Sequence, residues 1–243
     1  MRPPRNEYKY LISNKAKDVL ISLWNKHLIK DPYTDKDAKT PILSLYYDTP
    51  DLLFYNEKLD GIMTRNKIRL RVYDYSFKND IPCFLEIKQR FGDKVRKVRV
   101  YRDKLDQSLL DLDNWSFEKK IENDYFGELC SRYKLRPVAQ VFYIRDAYQA
   151  TVETDVRVTF DSSLMGFRPD EVISRDLIES NTHSLMSDEM CILEIKNNSH
   201  HLPRWLLDGI IKLGLVQRSI PKYITAVEKL GINNITLNSG EYI

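Results

Sequence analysis

With 243 residues, 42% of them hydrophobic and 30% charged, the chain is long enough for a sizeable core and has the composition of an ordinary globular protein. Its 38 basic and 35 acidic residues leave a net charge of only +3, which argues against a nucleic-acid tail or a membrane-coating surface, so the distribution of charge matters more than its sum. Three cysteines, Cys83, Cys130 and Cys191, have no metal-ligand spacing, and their odd number suits a reducing compartment better than a disulfide framework. No apolar run approaches the roughly 20 residues of a membrane span, and MRPPRNEYKY lacks a signal peptide's apolar segment; a cytoplasmic location is expected.

In chain order, residues 5–12 read as a short strand with Glu7 and Lys9 on one face and Tyr8 and Tyr10 on the other. Ser13 is the expected N-cap of a helix in which Ala16, Val19, Leu20, Leu23, Trp24, His27 and Leu28 recur at helical spacing. Residues 42–47 form the next expected strand. It ends in Asp48-Thr49-Pro50, a turn that leads into a short helix over 51–58.

The stretch 67–101 then carries three runs, KIRLRVYDY, PCFLEIKQR and KVRKVRVY, in which charged and apolar residues alternate. A period of two predicts strands with one polar face: Lys67, Arg69, Arg71 and Tyr73 oppose Ile68, Leu70 and Val72, while Glu86, Lys88 and Arg90 oppose Leu85 and Ile87. Two helical segments are expected next, one with Leu105, Leu109 and Leu110 and one with Phe117, Ile121, Tyr125, Phe126, Leu129 and Tyr133. Strand pattern returns in VAQVFYIRDAYQA and in DVRVTFD, where Arg157 is expected to repeat the geometry of Arg71. Residues 162–187 read as loop with one short element, 190–197 as a strand, 203–213 as a helix, and a last helix starts near Pro221 and stops at Gly231.

The sequence LEIK occurs at 85–88 and again at 193–196, each time after an arginine-bearing strand, which suggests two similar halves. An α+β fold is expected: an antiparallel closed β-tunnel with a charged lumen, its outer faces covered by amphipathic helices, in a single domain with a core over about 5–231 and a tail at 232–243. The inner surface would carry Lys9, Lys67, Arg69, Arg71, Lys88, Arg90, Lys97, Arg99, Arg145, Arg157 and Lys196 against Glu7, Glu86, Glu153, Asp155 and Glu194. Two unit charges about 7 Å apart at an effective dielectric near 20 repel by about 2 kcal/mol, so such a surface wants an anion. Guanidinium forks suit a condensed phosphate chain or a nucleoside triphosphate, and a few carboxylates suit the divalent metal that travels with it.

Arg5-Asn6-Glu7-Tyr8-Lys9-Tyr10, SLYYDTPDLLFY, IRLRVY, FLEIK, KVRKVRV, KLRPVAQVFYIRDAY, VRVTFDSSL, ILEIK and the closing PKY, in this order, resemble the catalytic domain of the vacuolar transporter chaperone (VTC) complex. That domain is a polyphosphate polymerase of the triphosphate tunnel metalloenzyme superfamily. The resemblance implies a tunnel that binds ATP or another triphosphate with a divalent metal, Mn2+ or Mg2+, and transfers the terminal phosphate of ATP to a growing polyphosphate chain. Lys9, Arg69, Arg71, Lys88, Lys97, Arg145 and Arg157 match the family's phosphate-binding residues, and Glu194 its metal-associated glutamate. Arg99 and Lys196 join them as substrate-binding candidates and Glu7 as a second metal candidate. In the final motif, Ser219 and Pro221 stand where the family has a lysine and a serine; Lys222 remains, and Arg218 is placed to compensate.

Two rival readings stay open. A hydrolase of the CYTH type carries ExExK near its N-terminus, whereas this chain has Arg5-x-Glu7-x-Lys9, which favours the polymerase family. A non-catalytic polyanion-binding module is supported by the altered RSIPKY. Glu86 is as readily an ion-pair partner within the wall as a metal ligand. His200 and His201 read as solvated loop residues, and Trp24, Trp115 and Trp205 as helix packing. No glycine-rich phosphate loop, nucleophile elbow or HExxH motif is present. No nucleic acid is expected as a partner; a membrane protein partner is left open.

Overall fold

The structure, a computed structural model, describes residues 6–31, 39–78, 80–92, 94–105, 110, 125–199 and 201–234. Its elements in chain order are β1 (Asn6–Ser13), α1 (Asn14–Trp24), β2 (Leu28–Lys30), β3 (Thr40–Asp48), α2 (Leu53–Leu59), β4 (Thr64–Val72), β5 (Cys83–Phe91), β6 (Lys94–Arg102) and α3 (Tyr125–Tyr133). They continue with β7 (Arg136–Ala150), β8 (Arg157–Phe167), α4 (Arg175–Glu179), β9 (Met190–Asn197), α5 (Arg204–Lys212) and α6 (Lys222–Lys229). Among the described residues the strands form a nine-stranded antiparallel sheet in the order β1-β9-β8-β7-β3-β4-β5-β6, with β2 on β7. The α+β expectation is met. No helix of the described residues is long and apolar enough to cross a membrane.

The chain divides into two compact units, one of Met1–Pro41, Tyr143–Leu164 and Met186–Pro221, the other of Ile42–Phe142, Met165–Leu185 and Lys222–Ile243. In the first unit the apolar faces of β1, β8 and β9 supply Tyr10, Ile12, Val158, Phe160, Leu193 and Ile195 to a core closed by Leu20 and Trp24 of α1 and Leu206 and Ile210 of α5. Ser13 caps α1 as expected, its hydroxyl accepting from the Ala16 N–H at 3.1 Å. Gly209 sits inside α5, where glycine is costly, because a Cβ there would lie 2.7 Å from Nε1 of Trp24. That nitrogen donates to the Trp205 carbonyl at 3.0 Å, locking α1 against α5.

In the second unit Ile68, Leu70 and Val72 of β4 and Cys83, Leu85 and Ile87 of β5 are buried, as their alternation predicts. Tyr47 meets Phe126 of α3 edge-on at 5.8 Å, and Phe54 of α2 meets Tyr133 at 5.4 Å. Asp48 ties the unit together. Its carboxylate accepts from the backbone N–H groups of Thr49, Phe54 and Tyr55 at 2.7–2.9 Å and from the Tyr223 hydroxyl of α6 at 2.7 Å. These bonds satisfy orphan donors at the start of α2 and offset the strain of Leu52, a leucine at φ 57.

Several boundaries differ from the sequence reading. Helix α1 stops at Trp24, and Leu28 is buried as a strand residue of β2, paired with Ala150; its helical spacing from Trp24 is coincidental. Strand β8 runs on to Phe167 through residues read as loop, and α4 supplies the short element expected there. Pro221 lies one residue before α6 rather than in its first turn. Helix α3 carries Tyr125 to Tyr133, while Leu109, Trp115, Phe117, Ile121 and His200 lie outside the described residues.

Asp48→Asn is expected to lower stability by about 2 kcal/mol, because donors it satisfied become buried and unmatched, and Tyr223→Phe by about 1 kcal/mol. Urea midpoints of the two variants check this, and an unchanged midpoint for Asp48→Asn would remove the residue's structural role.

Candidate functional site

The second unit presents a polar face built by strand alternation and fixed by register. Across β4, β5 and β6 the rows run Lys67–Lys88–Lys97, Arg69–Glu86–Arg99 and Arg71–Phe84–Tyr101, and β3 adds Tyr46 opposite Arg69 and Ser44 opposite Arg71. Glu86 is the carboxylate of this ladder. Arg69 holds it with Nε and Nη2 at 2.7 Å, Arg71 Nη1 stands at 3.6 Å, Lys97 Nζ at 3.5 Å and Arg99 Nε at 3.3 Å. Burial works to raise the pKa of Glu86, but Arg69, then Arg71 and Lys97, overcome it and hold the group far below the ordinary carboxylate range. Glu86 is therefore an ion-pair hub here. Lys97 is pushed below the usual lysine value chiefly by burial; Arg69 and Arg99 add to this and Glu86 opposes it.

Tyr46 belongs to the same network although the sequence analysis passed over it. It is buried, stacks on Tyr223 at 5.1 Å, accepts from Arg69 Nη1 at 3.2 Å, and has Lys67 Nζ 5.4 Å from its ring centre. Burial raises its pKa; Arg69, Lys67 and Arg71 outweigh that and bring it down to about 7. Ser44 was missed in the same way and accepts from Arg71 Nε at 3.2 Å. The signal was there in SLYYD, where Ser44, Tyr46 and Asp48 alternate with Leu45 and Tyr47.

The first unit presents a second polar face, closer to charge balance. Lys9 bonds Glu7 at 2.6 Å and stands 3.8 Å from Glu194, and Lys196 also pairs with Glu194. Arg145 grips Asp161 with two bonds of 2.6 and 2.7 Å, and Arg157 grips Asp31 at 2.8 Å. Burial lowers the pKa of Lys9, yet Glu194 and Glu7 leave it raised, whereas Lys196 ends lowered by burial despite the same glutamates. Thr159 faces Glu194 in the ladder, and its hydroxyl is buried with no hydrogen-bond partner among the described residues. Asp161 was not foreseen because its pairing with Arg145 depends on β7 and β8 alike.

Arg90 continues the Glu86–Lys88 face at the end of β5, where it is exposed and donates to the Gly92 carbonyl at 2.7 Å. Two expected members fall elsewhere. Glu153 and Asp155 lie in the turn between β7 and β8 rather than on a strand, accepting from Trp205 Nε1 at 3.4 Å and the Asn198 N–H at 3.2 Å. The register also corrects the repeat: Arg157 pairs with Lys196 of the second LEIK as Lys67 pairs with Lys88 of the first, so its counterpart is Lys67 and not Arg71. Lys222 is buried at the start of α6, next to Tyr223. Arg218 is exposed and donates its backbone N–H to the Lys9 carbonyl at 2.8 Å; Ser219 is exposed.

Among the described residues no group of three His, Cys, Asp or Glu side chains could hold a metal ion. Glu7 and Glu194, joined through Lys9, fit one mode only: a hard divalent ion taking one or two carboxylate oxygens and completing its shell with phosphate and water. An all-protein cage does not fit.

Tyr46 makes the cation-rich face pH-sensitive. Its folded pKa of about 7 lies below the ordinary 10.0, so ionisation contributes stability that is complete above pH 10 and is lost as pH falls through 7. A bound polyanion offsets the same cations and raises the pKa, so tripolyphosphate should bind more weakly as pH climbs above about 7. Ultraviolet difference spectra should show a near-neutral tyrosinate transition that tripolyphosphate moves upward and Tyr46→Phe removes; a transition untouched by Tyr46→Phe would overturn the assignment.

No curated protein sequence matches the chain. Among solved structures, a Bacillus halodurans protein described as a "putative adenylate cyclase" aligns with a TM-score of 0.54 at 13% identity, covering 90% of this chain and 95% of its own. A Vibrio parahaemolyticus protein of the same description gives 0.47 at 10% identity, covering 92% and 98%, and a Pyrococcus horikoshii protein 0.43 at 14%, covering 92% and 99%. The first likeness shows a shared fold. A match to the VTC domain spans residues 4–231, nearly the whole chain, and on that match the protein belongs to the VTC domain family.

Proposed function

We propose that the protein is an ATP–polyphosphate phosphotransferase: a single VTC-type domain, closed as a β-tunnel and working in the cytoplasm, that moves the terminal phosphate of ATP onto a polyphosphate chain. The observation that carries this reading is the convergence of Arg69, Arg71, Lys97 and Arg99 on Glu86. A face so rich in cations stabilises the dispersed charge of a triphosphate, and phosphoryl transfer asks mainly for position and charge neutralisation.

In this reading Arg69, Arg71, Lys88, Lys97 and Arg99 bind and orient the phosphates. Lys9, Arg145, Arg157 and Lys196 are assigned to phosphate as well, and Lys222 and Arg218 to the acceptor. Glu194 and Glu7 would hold a divalent ion, Mn2+ or Mg2+, which supplies charge neutralisation on the triphosphate. No protein nucleophile is required, since the acceptor is a phosphate oxygen.

Incubating the protein with ATP and Mn2+ while following both chain length and free phosphate tests the proposal. Chain growth supports it; free phosphate without growth points to a triphosphate hydrolase. Tight binding of polyphosphate without either product identifies a binding module, the reading favoured by the exposed Ser219 in place of the family's lysine.

Glu194→Gln should cut metal-dependent turnover at least tenfold with little change in thermal unfolding, because the carboxylate's charge is lost and its shape kept. Parallel loss of both, or full activity at the same metal concentration, would refute the metal role. Arg71→Ala should weaken tripolyphosphate binding about tenfold to a hundredfold by calorimetry, the worth of one charge-assisted contact. Unchanged binding would take Arg71 out of the site.

A further inference from the structure

Strand alternation turns Val158 and Phe160 of β8 into the core of the first unit and leaves Thr159 between them on the polar face. There Thr159 stands directly opposite Glu194, whose other flank faces Lys9 of β1, so one row reads Lys9–Glu194–Thr159. The row is used unevenly. Glu194 turns one oxygen toward Lys9 at 3.8 Å and bonds Lys196 with the other, while the hydroxyl of Thr159, a residue only 2% exposed, makes no hydrogen bond among the described residues. A buried hydroxyl without a partner is destabilising, and valine would fill the same space without that cost. The cations nearby are engaged: Arg145 is turned to Asp161 with two bonds, and Lys9 and Lys196 are turned to Glu194. The acceptor that strand pairing sets within reach is Glu194 itself, since Cβ atoms of directly opposed residues stand about 4.5–5.5 Å apart.

We propose that Thr159 is a positioning residue for Glu194: when an anion draws the ammonium groups of Lys9 and Lys196 toward itself, the threonine hydroxyl donates to the carboxylate oxygen they release and keeps Glu194 in place on the polar face. The inference rests on the triphosphate reading above for its anion and adds a partner exchange to it. The first LEIK strand is built differently, because Arg69 stands opposite Glu86 where Thr159 stands opposite Glu194. A guanidinium fork there holds its glutamate in one arrangement. A hydroxyl lets Glu194 pass from one set of donors to another without leaving a buried charge unmatched.

The test uses the full chain and titrates tripolyphosphate by calorimetry. Thr159→Val, which removes the hydroxyl and keeps the shape, should weaken binding about tenfold, while the thermal midpoint measured without tripolyphosphate stays equal or rises. Thr159→Ser, which keeps the hydroxyl, should bind within about twofold of wild type. In a Glu194→Ala background, where the acceptor is gone, Thr159→Val should change affinity by less than about twofold. An undiminished loss in that background would mean that the hydroxyl meets phosphate itself, and a lowered midpoint for Thr159→Val that its role is structural. Either result overturns the proposal, as does full affinity in Thr159→Val, and each leaves the triphosphate reading standing. Should the wild-type protein not bind tripolyphosphate, the functional reading falls and this inference with it.

Discussion

Antiparallel pairing places side chains of neighbouring strands opposite one another, and in the β4–β6 ladder it sets Lys67, Lys88 and Lys97 in one row and Arg69 and Arg99 in the next. Like charges directly opposed destabilise a sheet. At about 4 Å and an effective dielectric near 20, two opposite charges attract by about 4 kcal/mol before the cost of desolvating them is counted. Glu86 faces Arg69, Arg71, Lys97 and Arg99 together, and without it the face would have to be drawn apart or loaded with counterions. The buried carboxylate thus draws cations from both flanking strands into one network.

The two polar faces differ in kind. On the face of the second unit, Arg69, Arg71, Lys97 and Arg99 share Glu86. On the face of the first, Lys9, Lys196, Arg145 and Arg157 meet Glu7, Glu194, Asp161 and Asp31 almost one for one. An excess of guanidinium attracts phosphate by charge, whereas a balanced lattice attracts little from a distance but offers carboxylate oxygens at fixed positions.

Much of this was legible in the sequence because a period of two survives translation into structure without loss. Ile68, Leu70, Leu85 and Ile87 went inside, and the charged residues between them went to one face, as alternation requires. Ser13 and the strand at 190–197 were equally plain. What failed were properties that belong to pairs of segments. Leu28 fits a helical stripe as well as a strand, and only its partner Ala150 decides. Arg157 was matched to Arg71 by the look of the local sequence, but register makes it the counterpart of Lys67. Asp161 and Tyr46 resemble ordinary strand residues until Arg145 and Arg69 are brought beside them.

The two LEIK segments carry the same lesson further. Glu86 and Glu194 are identical in residue and in immediate sequence, yet β4 sets Arg69 opposite Glu86 and β6 sets Arg99 there, while β8 sets Thr159 opposite Glu194 and β1 sets Lys9. A guanidinium fork occupies carboxylate lone pairs in a fixed plane, and a second one on the other flank leaves no approach for a metal ion. An ammonium is a single point charge that can swing aside on its stem, and a threonine with an unsatisfied hydroxyl adds a polar atom without adding charge. The cross-strand neighbours therefore turn one glutamate into a brace for arginines and set the other among ammonium groups and a hydroxyl, a distinction that four letters of sequence repeated in both halves do not contain.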